Sequence, residues 1–148
     1  MYAFQEMPAC SSWSTRLVAP WLQPVQSEWT PTVPNDEIPA MLDASTVLVL
    51  PSRSEGLGRI VVEALCRGRP VVATRVGGIT DLLRDGENGL LVPPRDSRAL
   101  ADALVRVLTD RGLAERLAEA ARPSVEPWIA TPEDYARRTR ELVEQVTR

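Results

Sequence analysis

Residues 47–65 read Val47-Leu48-Val49-Leu50-Pro51-Ser52-Arg53-Ser54-Glu55-Gly56-Leu57-Gly58-Arg59-Ile60-Val61-Val62-Glu63-Ala64-Leu65. The first four are a continuous apolar run closed by Pro51, the pattern of a strand buried on both faces of a parallel sheet. Ser52 to Gly58 is polar and glycine-bearing, a loop. Arg59 to Arg67 reads as a helix stopped by Gly68. Pro70-Val71-Val72-Ala73-Thr74 follows as a second buried strand, with Pro at its start, where it costs no ladder bond. Strand, loop, helix, strand is a βαβ unit, and its strands run parallel.

The alternation continues downstream. Gly77-Gly78 is a turn, and Ile79 to Arg84 a short helical stretch closed by Asp85-Gly86. Gly89 to Val92 is a third short strand ended by Pro93-Pro94. Asp96 caps a long helix to Leu108, with Leu100, Ala103, Leu104, Val107 and Leu108 facing inward. A helix spans Gly112 to Ala121. The last starts with Thr131 as N-cap, Pro132 at N1 and Glu133 and Asp134 in the first turn, and runs to Val146. Upstream, Asp36 caps a short helix that places Ile38, Met41 and Leu42 on one face. The fold class is therefore α/β: a Rossmann-like parallel sheet flanked by helices, partial because only three strands are present.

Composition changes near residue 35. Residues 1–34 hold Pro8, Pro20, Pro24, Pro31 and Pro34, with Trp13, Trp21 and Trp29 between them, and show neither a helical nor a strand period. We read residues 1–34 as an irregular segment whose first 30 or so pack poorly against the rest, and 35–148 as the folded domain. The even spacing of the three Trp has no other repeating feature to support a repeat.

The 148 residues are 44% apolar and 25% charged, an ordinary globular composition. No apolar run is long enough for a membrane helix. Net charge is −3, so nothing argues for nucleic acid. The chain contains neither His nor Lys; all 17 cationic side chains are Arg. Histidine bases and ligands, Schiff-base lysines and a P-loop lysine are thereby excluded. Cys10 and Cys66 do not make a disulfide framework. The N-terminus has no charged-then-apolar leader pattern, and the expected setting is cytoplasmic.

The chemistry concentrates between Pro51 and Gly78. Ligands of open parallel sheets bind outside the carboxyl ends of the strands, where the Ser52–Gly58 loop belongs. Gly56 and Gly58 let backbone approach a ligand closely, and the helix after them aims its N-terminal N–H groups and dipole at the same space, a setting suited to phosphate. A glycine-containing loop before a helix is more often a tight turn. Glu63 lies in a helix apolar on nearly every side, so it needs a wet cleft or a donor. Glu55 precedes it by eight positions, placing both carboxylates on the same side. A solvated loop residue and a helix-surface residue are the plain alternatives.

At these residues the chain resembles the retaining GT-B glycosyltransferases of glycosyltransferase family 4, whose E-x7-E signature is matched by Ser54-Glu55-Gly56-Leu57-Gly58 through Glu63-Ala64. The likeness extends from Val33-Pro34 and Glu37-Ile38-Pro39, through Val47 to Ser52, to Gly68-Arg69-Pro70-Val71-Val72-Ala73-Thr74, Val76-Gly77-Gly78 and Asp85 to Pro94. It covers about 115 of the 148 residues.

The resemblance implies the C-terminal, donor-binding half of a two-domain enzyme that transfers a sugar from a nucleotide-diphosphate sugar to an acceptor hydroxyl, without a metal or other cofactor. It implies that Glu55 contacts the donor sugar and is the catalytic residue. It also implies that Gly56, Leu57 and Gly58 offer amides to sugar and diphosphate, that Arg59 and Ile60 face the diphosphate, and that Glu63 takes the ribose hydroxyls. Thr32 and Val33 would lie by the base. The family's R-x4-K pair has no counterpart here, nor does its N-terminal domain. The chain alone is therefore expected to be inactive, since charge stabilisation of the leaving phosphate is a large catalytic factor. The full-length enzyme would sit in the cytoplasm or at the inner face of the membrane. A reading of another class is a non-catalytic module that completes its sheet against a partner chain.

Overall fold

The computed structural model describes residues 32–147. The expectations for residues 1–30, including the packing of the three Trp, lie outside the described residues. Val33–Arg148 forms a unit of its own.

In chain order the elements are α1 (Ile38–Ala44), β1 (Leu48–Leu50), α2 (Arg59–Cys66), β2 (Val71–Thr74), α3 (Ile79–Leu82), β3 (Leu90–Val92), α4 (Ser97–Thr109), α5 (Arg111–Val125), a 3-10 turn (Glu126–Trp128) and α6 (Pro132–Val146). The strands form one parallel sheet in the order β1-β2-β3, as the βαβ reading requires. Leu48 stands opposite Val71, and Val72 opposite Leu90.

Side chains alternate across β2. Val71 and Ala73 join α2, α3 and the C-terminal half of α5 in one apolar layer, around Val61, Leu65, Ile79, Ala121 and Val125. Val72 points the other way, with Leu90 and Val92 of β3, into a layer closed by Ala103 and Val107 of α4 and Leu113, Ala114 and Leu117 of α5. α5 thus serves both layers. Asp96 caps α4 by accepting the Ala99 N–H at 2.9 Å, and Asp110 caps α5 through the Leu113 N–H at 2.9 Å. Thr131 caps α6 through the Asp134 N–H at 3.1 Å, with Pro132 at N1 as read from sequence.

Several expectations need correction. β1 is half-buried rather than buried on both faces: among the described residues Leu48 and Leu50 pack against the core, whereas Val49 joins neither buried cluster. α1 is entered at Glu37, not capped by Asp36; the Glu37 N–H closes a turn onto the Pro34 carbonyl at 3.0 Å, which leaves Asp36 inside that turn. Leu108 is 44% exposed, so the inward stripe of α4 centres on Ala103 and Val107. α5 runs past Pro123 to Val125, because proline near a helix end forfeits one hydrogen bond while Val125 is wholly buried.

The third helix stops at Leu82 rather than Arg84, and Asn88 explains why. Its Oδ1 accepts the Arg84 N–H at 2.7 Å, and its Nδ2 donates to the Leu82 carbonyl at 2.9 Å and to Ser124 Oγ at 2.8 Å. Ser124 Oγ donates in turn to the Ala121 carbonyl at 2.6 Å. Leu83 then turns extended into the core, and the Asp85–Gly89 loop is pinned to α5.

Candidate functional site

β1 and β2 are parallel neighbours, so their carboxyl ends lie at one edge of the sheet. From that edge spring the Ser52–Gly58 loop and the Arg75–Gly78 turn.

The two segments are lashed together. Thr74, 4% exposed at the end of β2, donates its hydroxyl to the Ser52 carbonyl. The Gly78 N–H donates to the Gly56 carbonyl at 2.7 Å. The backbones are so close that a Cβ on Gly77 would stand 1.8 Å from the Glu55 carbonyl oxygen, and one on Gly78 would stand 2.3 Å from that of Gly56. Gly77 also has φ +48°, open to glycine at little cost. Gly58, at φ +74°, turns the chain into α2 as its N-cap and offers no capping side chain, and the first turn carries no acidic residue. The Val61 N–H closes onto the Gly58 carbonyl at 2.8 Å, and the positive end of the α2 dipole stands at this edge with no carboxylate in the first turn to neutralise it. Nothing lies within 4 Å of where a Gly56 Cβ would be, so this side of the loop is open.

Glu55 is half-buried. Its Oε1 accepts the Gly56 N–H at 3.1 Å and its Oε2 the Ser52 hydroxyl at 3.4 Å. Glu63, in the second turn of α2, is 39% exposed; its carboxylate stands 3.9 Å from the guanidinium of Arg59, itself 72% exposed. Of the two sequence alternatives for Glu63, the fold thus realises a wet surface with a cationic neighbour. Leu57 is 43% exposed on the loop, whereas the Ile60 side chain packs against the core, leaving its backbone as the part that can meet a ligand. Thr32 is exposed and Val33 half-buried, ahead of α1. Burial pushes the Cys66 thiol above its ordinary pKa, so it is no thiolate nucleophile at neutral pH. Among the described residues no group of three or more His, Cys, Asp or Glu is placed to hold a metal ion.

Sequence reasoning missed the tie between the Gly77-Gly78 turn and the Glu55 loop, and the roles of Ser52 and Thr74. The available signal was a polar residue closing an otherwise apolar strand, with paired glycines just after it, next to the strand that bears the loop.

A model of the glycosyl transferases group 1 family matches residues 21–124. The chain belongs to this family. Alpha-D-kanosaminyltransferase of Streptomyces kanamyceticus is 44% identical over 86 residues, 58% of this chain and 22% of its own length. D-inositol 3-phosphate glycosyltransferase of a Nocardioides species is 42% identical over 93 residues, 63% of this chain and 20% of its own. The chain thus spans about a fifth of the length of these relatives. Among solved structures, sucrose-phosphate synthase of Thermosynechococcus elongatus superposes with a TM-score of 0.64 at 36% identity, covering 72% of this chain and 27% of that one. Anabaena HepE in complex with UDP-glucose superposes at 0.63 and 27% identity, covering 75% and 30%. The parallel three-stranded sheet with flanking helices is the arrangement of these GT-B glycosyltransferase neighbours. Among the described residues no helix is long and apolar enough to cross a membrane.

Proposed function

We propose that this chain is the donor-binding part of a retaining glycosyltransferase of family 4, which takes a sugar from a nucleotide-diphosphate sugar and places it on an acceptor hydroxyl. Glu55 accepts a hydrogen bond from the donor sugar, and Glu63 from the ribose, in an E-x7-E pair. The amides of Gly56, Leu57 and Gly58 and the start of α2 at Arg59 and Ile60 meet the diphosphate, and Thr32 and Val33 lie by the base. No metal takes part. Alone, the chain binds donor without turnover, since its Lys-free sequence offers no R-x4-K pair to stabilise the leaving diphosphate; the working enzyme is cytoplasmic or peripheral to the inner membrane face.

The observation that carries this reading is the Glu55–Gly58 loop, lashed to Gly77-Gly78 and opening onto a helix start with no capping side chain and no acidic residue. Such a start attracts phosphate oxygens, while the two carboxylates accept from hydroxyls. The family membership and a neighbour holding UDP-glucose agree with it. Calorimetric titration with UDP, GDP, ADP and dTDP tests it. At least one must bind, and Glu63→Ala must weaken that binding by about 1.5–3 kcal/mol, the worth of a charged hydrogen bond. Superimposable curves would refute the ribose role.

One observation favours a second reading, a non-catalytic module that completes its sheet with a partner chain. Among the described residues β1 is an apolar, half-buried edge strand with neither charge nor proline within Leu48–Leu50 to discourage pairing. That reading predicts a stable complex with another polypeptide and no affinity for any nucleoside diphosphate.

A further inference from the structure

We propose that Ser52 and Thr74 are positioning residues for Glu55, setting the direction of the carboxylate that selects the transferred sugar; this rests on the donor-site reading above. A glutamate on a glycine-bearing loop has three free side-chain torsions and nothing intrinsic to fix them. Here order passes to it in two steps. Thr74 ends the central strand, every residue of which is buried, and is its one polar member. A buried hydroxyl must find an acceptor, and this one reaches the Ser52 carbonyl, beyond the end of the neighbouring strand. Ser52, so held, turns its own hydroxyl to Glu55 Oε2 at 3.4 Å, while the Gly56 N–H holds Oε1 at 3.1 Å. Valine would fill the Thr74 position in an apolar strand equally well, and alanine would suit the loop at Ser52. What both residues add is the hydroxyl. A contact of 3.4 Å is long for a hydroxyl on a carboxylate, so it governs orientation more than energy. Supporting hydrogen bonds of this kind are what hold a binding group in its productive geometry.

The test compares sugar nucleotides with their parent diphosphates on the whole chain: UDP-glucose against UDP, GDP-mannose against GDP, ADP-glucose against ADP. Ser52→Ala should weaken the sugar nucleotide about three- to tenfold, the worth of one ordinary hydrogen bond. It should leave the diphosphate within twofold, and Ser52→Thr should restore both. Thr74→Val should reproduce the pattern and Thr74→Ser relieve it. In a Glu55→Ala background, which has no acceptor for the Ser52 hydroxyl, Ser52→Ala should cost nothing further. The Gly56 amide resonance, recorded without ligand, should move in Ser52→Ala and return in Ser52→Thr. Equal losses for sugar nucleotide and diphosphate would show a loop scaffold only and overturn the proposal, as would no loss for either or a Gly56 resonance that ignores Ser52. A wild-type chain that binds no nucleotide while its Gly56 resonance still follows Ser52 would overturn the donor-site reading instead.

Discussion

The backbone N–H of Gly78 donates to the carbonyl of Gly56 at 2.7 Å, tying the turn after β2 to the loop after β1. The tie works only without side chains. Gly77→Ala brings a Cβ to 1.8 Å from the Glu55 carbonyl at a residue whose φ is +48°. Clash and left-handed backbone together should cost about 2–4 kcal/mol in urea denaturation. Gly56→Ala meets nothing within 4 Å and should leave stability within about 0.5 kcal/mol. Any loss of nucleotide affinity in that variant then reports a ligand close to the loop backbone.

Asn88 is 2% exposed and has its side-chain oxygen and nitrogen engaged, across to Ser124 of α5. Asn88→Ala strands the Arg84 N–H, the Leu82 carbonyl and one contact of Ser124. Each buried orphan costs about 1–3 kcal/mol, and partial relaxation brings the expected total to about 2–4 kcal/mol. Asn88→Asp keeps the acceptor but loses both donations, and should fall in the same range. Chemical denaturation of the two variants against the wild type measures it.

These two cases show which features are local enough to be read from sequence. β2 and β3 are all-buried runs, apolar but for Thr74, and the caps at Asp96 and Thr131 act within three residues of themselves, so a short window contains their cause. The half-burial of β1 depends on which elements cover its faces, and its own Leu-Val-Leu run would read the same if both were covered, as they are for β3. The early end of α3 depends on Asn88 and Ser124, the latter 36 residues beyond Asn88. Glu55, Glu63 and the glycine loop were legible because they share one short stretch. Gly77, Gly78, Ser52 and Thr74 act across two strands, and only the register of β1 on β2 brings them together.

Arg95 has φ +63°, the one positive φ outside glycine among the described residues, in the turn between β3 and the Asp96 cap of α4. A left-handed residue with a Cβ costs about 1–2 kcal/mol, and the greater chain freedom of glycine returns part of that. Arg95→Gly should therefore raise stability by up to about 1 kcal/mol, and Arg95→Val, branched at Cβ, should lower it. Thermal denaturation of the pair gives the sign of each.

Asp134 supplies a pH dependence at the start of α6. Its carboxylate accepts from Arg137 at 3.1 Å and from the Thr131 hydroxyl at 3.2 Å, and these bonds hold its pKa below the ordinary value of 3.8. A depressed carboxyl stabilises the folded form above its unfolded pKa, and that contribution is lost as pH falls through the folded value. Helix α6 should thus loosen on acidification below pH 3.8. Far-UV circular dichroism should show the loss there in the wild type and a flatter profile in Asp134→Asn. Identical profiles would remove the role assigned to this carboxylate.

Arg59 stands at the first position of α2, where the helix dipole disfavours a cation by about 0.3–1 kcal/mol. Its partner Glu63, four residues on, is 3.9 Å away, beyond hydrogen-bond reach and in the less favourable order along the helix. With Arg59 72% exposed, that pair contributes little to folding. The two small effects oppose one another, so the dipole and the Glu63 pair together change stability by no more than about 0.5 kcal/mol on Arg59→Gln. Its effect on ligands is different in kind. The donor reading puts a diphosphate at this helix start, and a guanidinium there adds a charge-assisted contact worth about 1.5–3 kcal/mol. Arg59→Gln should therefore weaken the nucleoside diphosphate by about ten- to a hundredfold while leaving the parent nucleoside unchanged, and its binding should depend less on salt. Parallel losses for diphosphate and nucleoside would show that Arg59 acts by holding Glu63 against the ribose, and a drop in melting temperature of several degrees would assign it to the fold.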